Sequence, residues 1–158
     1  MVRGAQKSNP QYNKASVSIG IRIHLNPNDK GRGFQSCDDG EFYLKIPPGL
    51  DVNNFIPLNR KTIRDHETGH VAQIGEKIKE KLTKLACPCN EIDDKTCTAS
   101  FDKTIRGLIE SGFADYRKMA AEQRKEAKEK MKREGMDTPI EIGARRASCV
   151  AAGKTPRF

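Results

Sequence analysis

Residues 62–85 read TIRDHETGHVAQIGEKIKEKLTKL and contain the strongest periodic pattern in the chain. Its apolar and histidine residues recur in steps of three and four: Ile63, His66, His70, Ile74, Ile78, Leu82 and Leu85. Residues at that spacing lie along one face of an α-helix. The pattern therefore predicts a long helix, beginning near Asn59 or Thr62 and ending near Ala86, whose buried face includes both histidines.

The two histidines belong to the pentapeptide H-E-T-G-H at residues 66–70. Residues four apart lie one turn above each other on a helix, so His66 and His70 can both reach one tetrahedral Zn²⁺. Glu67 can then face the metal-bound water as a general base. Two buried, uncharged histidines with structural hydrogen bonds are the alternative, but that reading does not explain Glu67. We therefore predict a zinc site with Glu67 as the catalytic base.

A catalytic zinc needs a third protein ligand, and no histidine follows His70 in the chain. A second helix is predicted from Thr98 through the charged run that ends near Arg133, and a short loop favours an antiparallel hairpin with the first. With a rise of about 1.5 Å per residue in both helices, residues near 114–118 face the zinc pair. Asp115 is the carboxylate in that interval, and we predict it as the third ligand.

The sequence offers three alternatives to Asp115 as the third zinc ligand: Glu122, Glu110 and His24. Glu122 lies two turns after Asp115 on the same face, whereas Glu110 lies nearer to a basic surface arc. His24 falls on the polar face of a predicted strand, where histidines are more often simple surface residues. Tyr116 could stabilise an oxyanion, although an aromatic side chain on this face is more often part of the core.

Before the zinc motif the sequence favours strands. Residues 17–25 alternate between apolar and polar, which is typical of a strand with one buried face. Residues 41–46 form a second candidate strand, residues 52–58 a third, and the Gly- and Asp-rich stretch 30–40 is interpreted as a connection. The expected fold is α+β, with a small antiparallel sheet packed on an antiparallel two-helix hairpin that carries the zinc motif.

The chain has 158 residues, a length typical of a single domain. We expect a flexible arm over residues 1–14, the catalytic domain over 15–135, and a flexible or surface-strapped tail over 136–158. Hydrophobic residues make up 35% of the chain and charged residues 32%, which predicts a small core with long solvated helices. The net charge is +8, but the basic residues are interleaved with Glu and lack an aromatic platform. This argues against a nucleic-acid partner.

The cysteines are the main sequence evidence about the compartment in which the protein acts. No apolar run reaches the length of a membrane span, and residues 1–14 are too polar for a signal peptide. Five cysteines are present, with Cys87, Cys89 and Cys97 close together and Cys37 and Cys149 far away in sequence. We predict disulfides in an oxidising compartment, including a bridge from Cys97 to Cys87 or Cys89. Five reduced thiols in a cytosolic protein are the alternative.

At H-E-T-G-H the chain resembles the zincin metallopeptidases, and Asp115 would make it similar to those with an aspartate as third ligand. The order of strands, Pro-Pro, zinc helix, Cys-containing loop and second helix is similar to small bacterial secreted zinc-dependent protease domains. In those domains the second helix carries Tyr-Asp and then Thr and His-Gly, whereas this chain has Ala114-Asp115-Tyr116. The resemblance implies a secreted or periplasmic, zinc-dependent hydrolase of peptide or protein substrates. A catalytically inert zincin-like binding or structural module is the alternative.

Overall fold

A computed structural model describes residues 20–28, 30–83, 94–131 and 138–158. Within these ranges the chain forms strands β1 (Phe34–Ser36), β2 (Phe42–Tyr43) and β3 (Phe55–Pro57), with a 3₁₀ turn at Val52–Asn54. Three helices follow, α1 (Arg60–Leu82), α2 (Asp94–Met131) and α3 (Pro139–Ala151). The predicted α+β class is confirmed.

The described residues fall into two compact units. One is built from Ile21–Gln73 together with Met119–Phe158, and the other is built around Ile74–Lys118. The first unit contains the whole sheet, the start of α1 and all of α3. No described helix is long and apolar enough to cross a membrane.

The sheet is antiparallel, with β1 between β2 and β3. The predicted strands 41–46 and 52–58 contain β2 and β3. The central strand, however, lies in the stretch that we interpreted as a connection. Gly31 and Gly33 have positive φ values of 65° and 89°, so the backbone turns sharply just before a strand of only three residues. Such a strand is too short to show a period of two in the sequence.

The predicted first strand is not part of this sheet. Residues 20–25 alternate between exposed and half-buried, as the sequence pattern indicated, but they pair with no strand in the described ranges. Residues 1–19, which include the predicted arm, lie outside the described residues.

Helix α1 confirms the helix predicted from the apolar spacing. The Asn59 side-chain oxygen accepts a hydrogen bond from the Thr62 backbone N–H at 2.9 Å, which caps the first turn. In the second unit α1 and α2 approach closely at Gly112, because a Cβ added there would lie 2.9 Å from the Cα of Ile78. Residues 84–93 between the helices lie outside the described residues, so the hairpin stays a prediction.

Helix α3 replaces most of the expected tail over residues 136–158. Thr138 caps its N-terminus and Pro139 occupies the first turn, where a missing N–H costs nothing. Ala144, Ser148 and Cys149 are fully buried, so this segment belongs to the core.

A disulfide joins Cys149 of α3 to Cys37 directly after β1. Polar contacts support the same junction: the buried Gln35 side chain donates to the Arg145 carbonyl at 2.9 Å and accepts from the Ser148 hydroxyl at 3.0 Å. The prediction that the protein contains a disulfide is confirmed for this pair, which the sequence did not suggest. Cys87, Cys89 and the side chain of Cys97 lie outside the described residues, so the predicted bridge among them stays a prediction.

Candidate metal centre

Helix α1 presents His66 and His70 side by side. Their ring centroids are 5.0 Å apart, as expected for residues one turn apart on a helix. The side chains are 17% and 15% exposed, so both rings are largely withdrawn from solvent yet reachable. The sequence prediction that these two residues share one site agrees with this placement.

Helix α3 brings Glu141 to the same point. One carboxylate oxygen lies 3.0 Å from His66 Nε2, and the other lies 3.0 Å from His70 Nε2. One atom from each of the three residues lies within 4.8 Å of the other two, and among the described residues this is the group that could hold a metal ion. Two imidazoles and a carboxylate are a donor set that zinc accepts.

Local sequence explains how Glu141 reaches the histidines. Thr138 and Glu141 stand three residues apart at the start of α3, and the Thr138 hydroxyl oxygen accepts from the Glu141 N–H at 3.3 Å. Gly69, inside the pentapeptide, faces Ala144 and Ala147 of α3 at a separation that leaves no room for a side chain. Small residues on both helices therefore let the first turn of α3 approach the histidines closely.

Gln73 fixes the proton position on His70. Its side-chain Nε2 donates to the backbone carbonyl of Ile140 at 2.9 Å, and a carbonyl can only accept. The other end of the amide, Oε1, therefore faces His70 Nδ1 at 3.2 Å and needs a hydrogen there. A hydrogen on Nδ1 leaves the Nε2 lone pair of a neutral His70 directed at Glu141.

The contact between His70 Nε2 and the Glu141 carboxylate is favourable only if a positive charge lies at or between the two groups. In a neutral His70 ring, the Nε2 lone pair would face an anionic oxygen of Glu141 at 3.0 Å, and two acceptors repel each other. Either a second proton on His70 or a metal cation removes that repulsion. A metal-ligating histidine commonly donates its other ring N–H to an oxygen, as His70 does to Gln73.

The electrostatics follow from the same contacts. Hydrogen bonds from His66 and then His70 hold the pKa of Glu141 well below its usual range, against the opposing effect of burial. The hydrogen bond to Glu141 raises the pKa of His70, although burial lowers it. Without metal, His70 therefore binds a proton more tightly than usual and Glu141 binds one more weakly.

Glu67, the predicted base, is half-buried on α1 next to His66. Its charge contributes to the raised pKa of His70, so it lies within electrostatic range of the candidate ligands. Glu67 is not one of the three candidate metal ligands. That separation suits a group that moves protons rather than one that binds the metal.

Asp115 does not join the group. It lies in the unit around Ile74–Lys118, and its carboxylate pairs with Lys81 at 2.8 Å. The group formed by the described residues contains Glu141 beside the two histidines and does not contain Asp115. Tyr116, the predicted oxyanion residue, is buried in the same unit as Asp115.

The remaining predicted ligands are exposed, and none belongs to the described group: Glu110, Glu122 and His24. We did not predict Glu141 as a ligand, because the sequence of residues 136–158 is interpreted as a tail. A signal was present, since Thr-x-x-Glu with Pro at the first helical position marks a helix N-terminus. That signal predicts the helix but not its contact with the histidines.

Comparison of the chain with protein-family models, with curated proteins and with solved structures found no match.

Proposed function

We propose that this protein is a zinc-dependent metallopeptidase in which His66, His70 and Glu141 hold the metal and Glu67 is the general base. The observation that carries the proposal is the convergence of Glu141 from α3 on the two pentapeptide histidines, at 3.0 Å from each Nε2. Three protein ligands leave a tetrahedral zinc one open position, which is the arrangement of catalytic rather than structural zinc sites.

The donor atoms fit this metal. Zinc bonds to nitrogen and oxygen of about 2.0–2.2 Å place tetrahedral ligand atoms roughly 3.3–3.5 Å apart. The Nε2 and carboxylate atoms here lie at 3.0 Å from each other across the site. Small side-chain rotations would bring these atoms to the separations that zinc requires. The contact of His70 Nδ1 with Gln73 already orients the His70 ring with Nε2 towards the site.

When bound, zinc would polarise the scissile carbonyl and make a water molecule acidic enough to lose its proton near neutral pH. Glu67 would take that proton and later deliver it to the leaving amine. His66, His70 and Glu141 would act only as ligands, because their donor atoms all face one another. Gln73 would keep the His70 ring in the tautomer that exposes Nε2 to the site.

Peptides or proteins are the proposed substrates. The Cys37–Cys149 disulfide supports action in an oxidising compartment, and we propose a secreted or periplasmic location.

A test of the proposal compares Glu67→Gln with Glu76→Gln in the hydrolysis of a fluorescently labelled unfolded protein. Glu76 lies on the same helix and is exposed, so it controls for loss of a helical charge. Glu67→Gln should lower kcat/KM by about a hundredfold or more and leave zinc content unchanged, because the base is lost and no ligand is. Glu76→Gln should behave like the wild type.

Two results would overturn the proposal. If Glu67→Gln turns over substrate at the wild-type rate, Glu67 is not the base. If the wild type binds zinc in stoichiometric amounts but hydrolyses no peptide substrate, the chain is an inert zincin-like module.

A further inference from the structure

A cavity of about 210 Å³ adjoins the candidate metal centre. Apolar side chains of Phe42, Leu58 and Ile63 line it, and His66 forms part of its wall. Ile63 precedes His66 by three residues on α1, so one helical turn separates the cavity wall from a candidate ligand. A molecule bound across the metal centre therefore has direct access to this cavity.

Two polar residues in the lining, Thr62 and Gln35, already use their hydrogen-bonding groups within the protein. The Thr62 hydroxyl donates to the Pro57 carbonyl at 2.6 Å. The Gln35 amide bonds to the Arg145 carbonyl and to the Ser148 hydroxyl. A polar guest would lose its own hydrogen bonds to water and regain few in this cavity, whereas an apolar guest would gain from burial.

Size restricts the guest further. Sites for drug-sized ligands usually measure about 300–1,000 Å³, so a cavity of about 210 Å³ suits a single side chain. The backbone at Gly31 helps to set this shape, because a Cβ added there would collide with the Leu58 carbonyl oxygen. Arg32, which is exposed, supplies the charge in the lining, so an acidic guest is the competing occupant.

We infer that the cavity beside His66 binds one apolar side chain, of the kind found in Leu, Ile, Met or Phe, from the substrate residue next to the cleaved bond. The inference rests on the proposed peptidase function, because it deepens the assignment of that site by naming its substrate class. Phe42 and Ile63 are then specificity-determining residues.

Cleavage of a peptide series that differs at one position tests the selectivity. The wild type should favour Leu over Asp next to the cleaved bond by about tenfold or more in kcat/KM, as expected for an apolar pocket. Phe42→Ala should reduce that preference by about tenfold. The matched control is Leu44→Ala, two residues along the same segment; Leu44 is 72% exposed, is not part of the cavity lining, and its loss should leave the preference unchanged. A preference for Asp that disappears in Arg32→Ala would overturn the inference.

A binding experiment separates failure of this inference from failure of the proposed function. We would titrate N-acetyl-leucine methylamide and its aspartate counterpart into the full chain and follow the backbone amide signals of Gly31 and Ile63 by NMR. The leucine compound should shift both signals in the wild type, but not in Ile63→Phe, whose larger ring fills the cavity. This result supports the cavity assignment even if no peptide is cleaved. Equal shifts from both compounds, or no shift from either, would overturn it.

Discussion

Gly69 of α1 and Ala144 of α3 pack so closely that a Cβ on Gly69 would lie 3.0 Å from the Ala144 Cα. The same Cβ would lie 2.9 Å from the Cβ of Ala147. Gly69 precedes His70 directly, and Ala144 follows Glu141 by about one turn. This contact therefore holds two of the candidate ligands at their observed separation, which gives the glycine of the pentapeptide a packing role.

We predict that Gly69→Ala destabilises the protein by about 1–3 kcal/mol and weakens zinc binding, because the backbone of α3 must move to admit the new methyl group. The control is Gly75→Ala on the same helix, where an added Cβ meets no heavy atom within 4 Å. That variant should stabilise the protein by about 0.5–1 kcal/mol through helix propensity. Urea unfolding measures both free energies, and equal stabilisation by the two substitutions would contradict the close contact.

The metal-free protein should show a stability optimum on the acidic side of neutrality. The pKa of Glu141 is lowered in the fold, so its contribution is present above its ordinary value of 4.5 and is lost as the pH falls. The pKa of His70 is raised, so its contribution is present below its ordinary value of 6.5 and is lost as the pH rises through the folded value. The stabilising effect of the pair should therefore be greatest between those two ordinary values.

This effect is measured by unfolding the metal-free wild type and metal-free Glu141→Gln over a range of pH. At each pH the quantity compared is the difference between their unfolding free energies. The difference in unfolding free energy between the two proteins should become smaller as the pH falls below the ordinary pKa of Glu141, 4.5. It should also become smaller as the pH rises above the raised pKa of His70. Saturating zinc should move the optimum towards higher pH, because protons compete with the metal for imidazole nitrogens. A difference that does not vary with pH would show that Glu141 and His70 do not interact.

The Cys37–Cys149 disulfide should increase both the stability of the protein and its affinity for zinc, although neither cysteine is a candidate ligand. It closes a separation of 112 residues, for which the chain-entropy model gives a stabilisation of about 4–5 kcal/mol. Cys149 lies on the helix that carries Glu141, so reduction should also weaken zinc binding. We expect Cys37→Ser/Cys149→Ser to lower both the unfolding free energy and the zinc affinity. Mass analysis of unreduced peptides checks the pairing, and five freely alkylated cysteines would contradict it.

Sequence periodicity predicted the long helices because the repeat that identifies a helix is contained in residues close together in the chain. The stripe from Ile63 to Ile78 repeats often enough to identify α1, and the pentapeptide identifies His66, Glu67 and His70 without tertiary structure. Strand β1 was not predicted because three residues between glycines carry no periodic signal.

The third ligand required knowledge of how distant segments pack. Glu141 is 75 residues from His66 in sequence, and only the docking of α3 on α1 brings them together. The prediction of Asp115 depended on a helix register, and its carboxylate pairs with Lys81. The Thr138-x-x-Glu141 signature was the available clue, but it specifies a helix start rather than a ligand.

Zinc binding by His66, His70 and Glu141 is the central requirement of the proposed function. A competition titration with a chromophoric chelator, on protein purified without added metal, gives the zinc affinity of the wild type, Glu141→Gln and Asp115→Asn. We expect one zinc per wild-type chain and a loss of affinity of about tenfold or more in Glu141→Gln. Asp115→Asn should change the affinity by no more than about twofold, because the Asp115 carboxylate forms a half-exposed pair with Lys81. Failure of the wild type to bind zinc, or unchanged affinity in Glu141→Gln, would contradict the proposed metal centre.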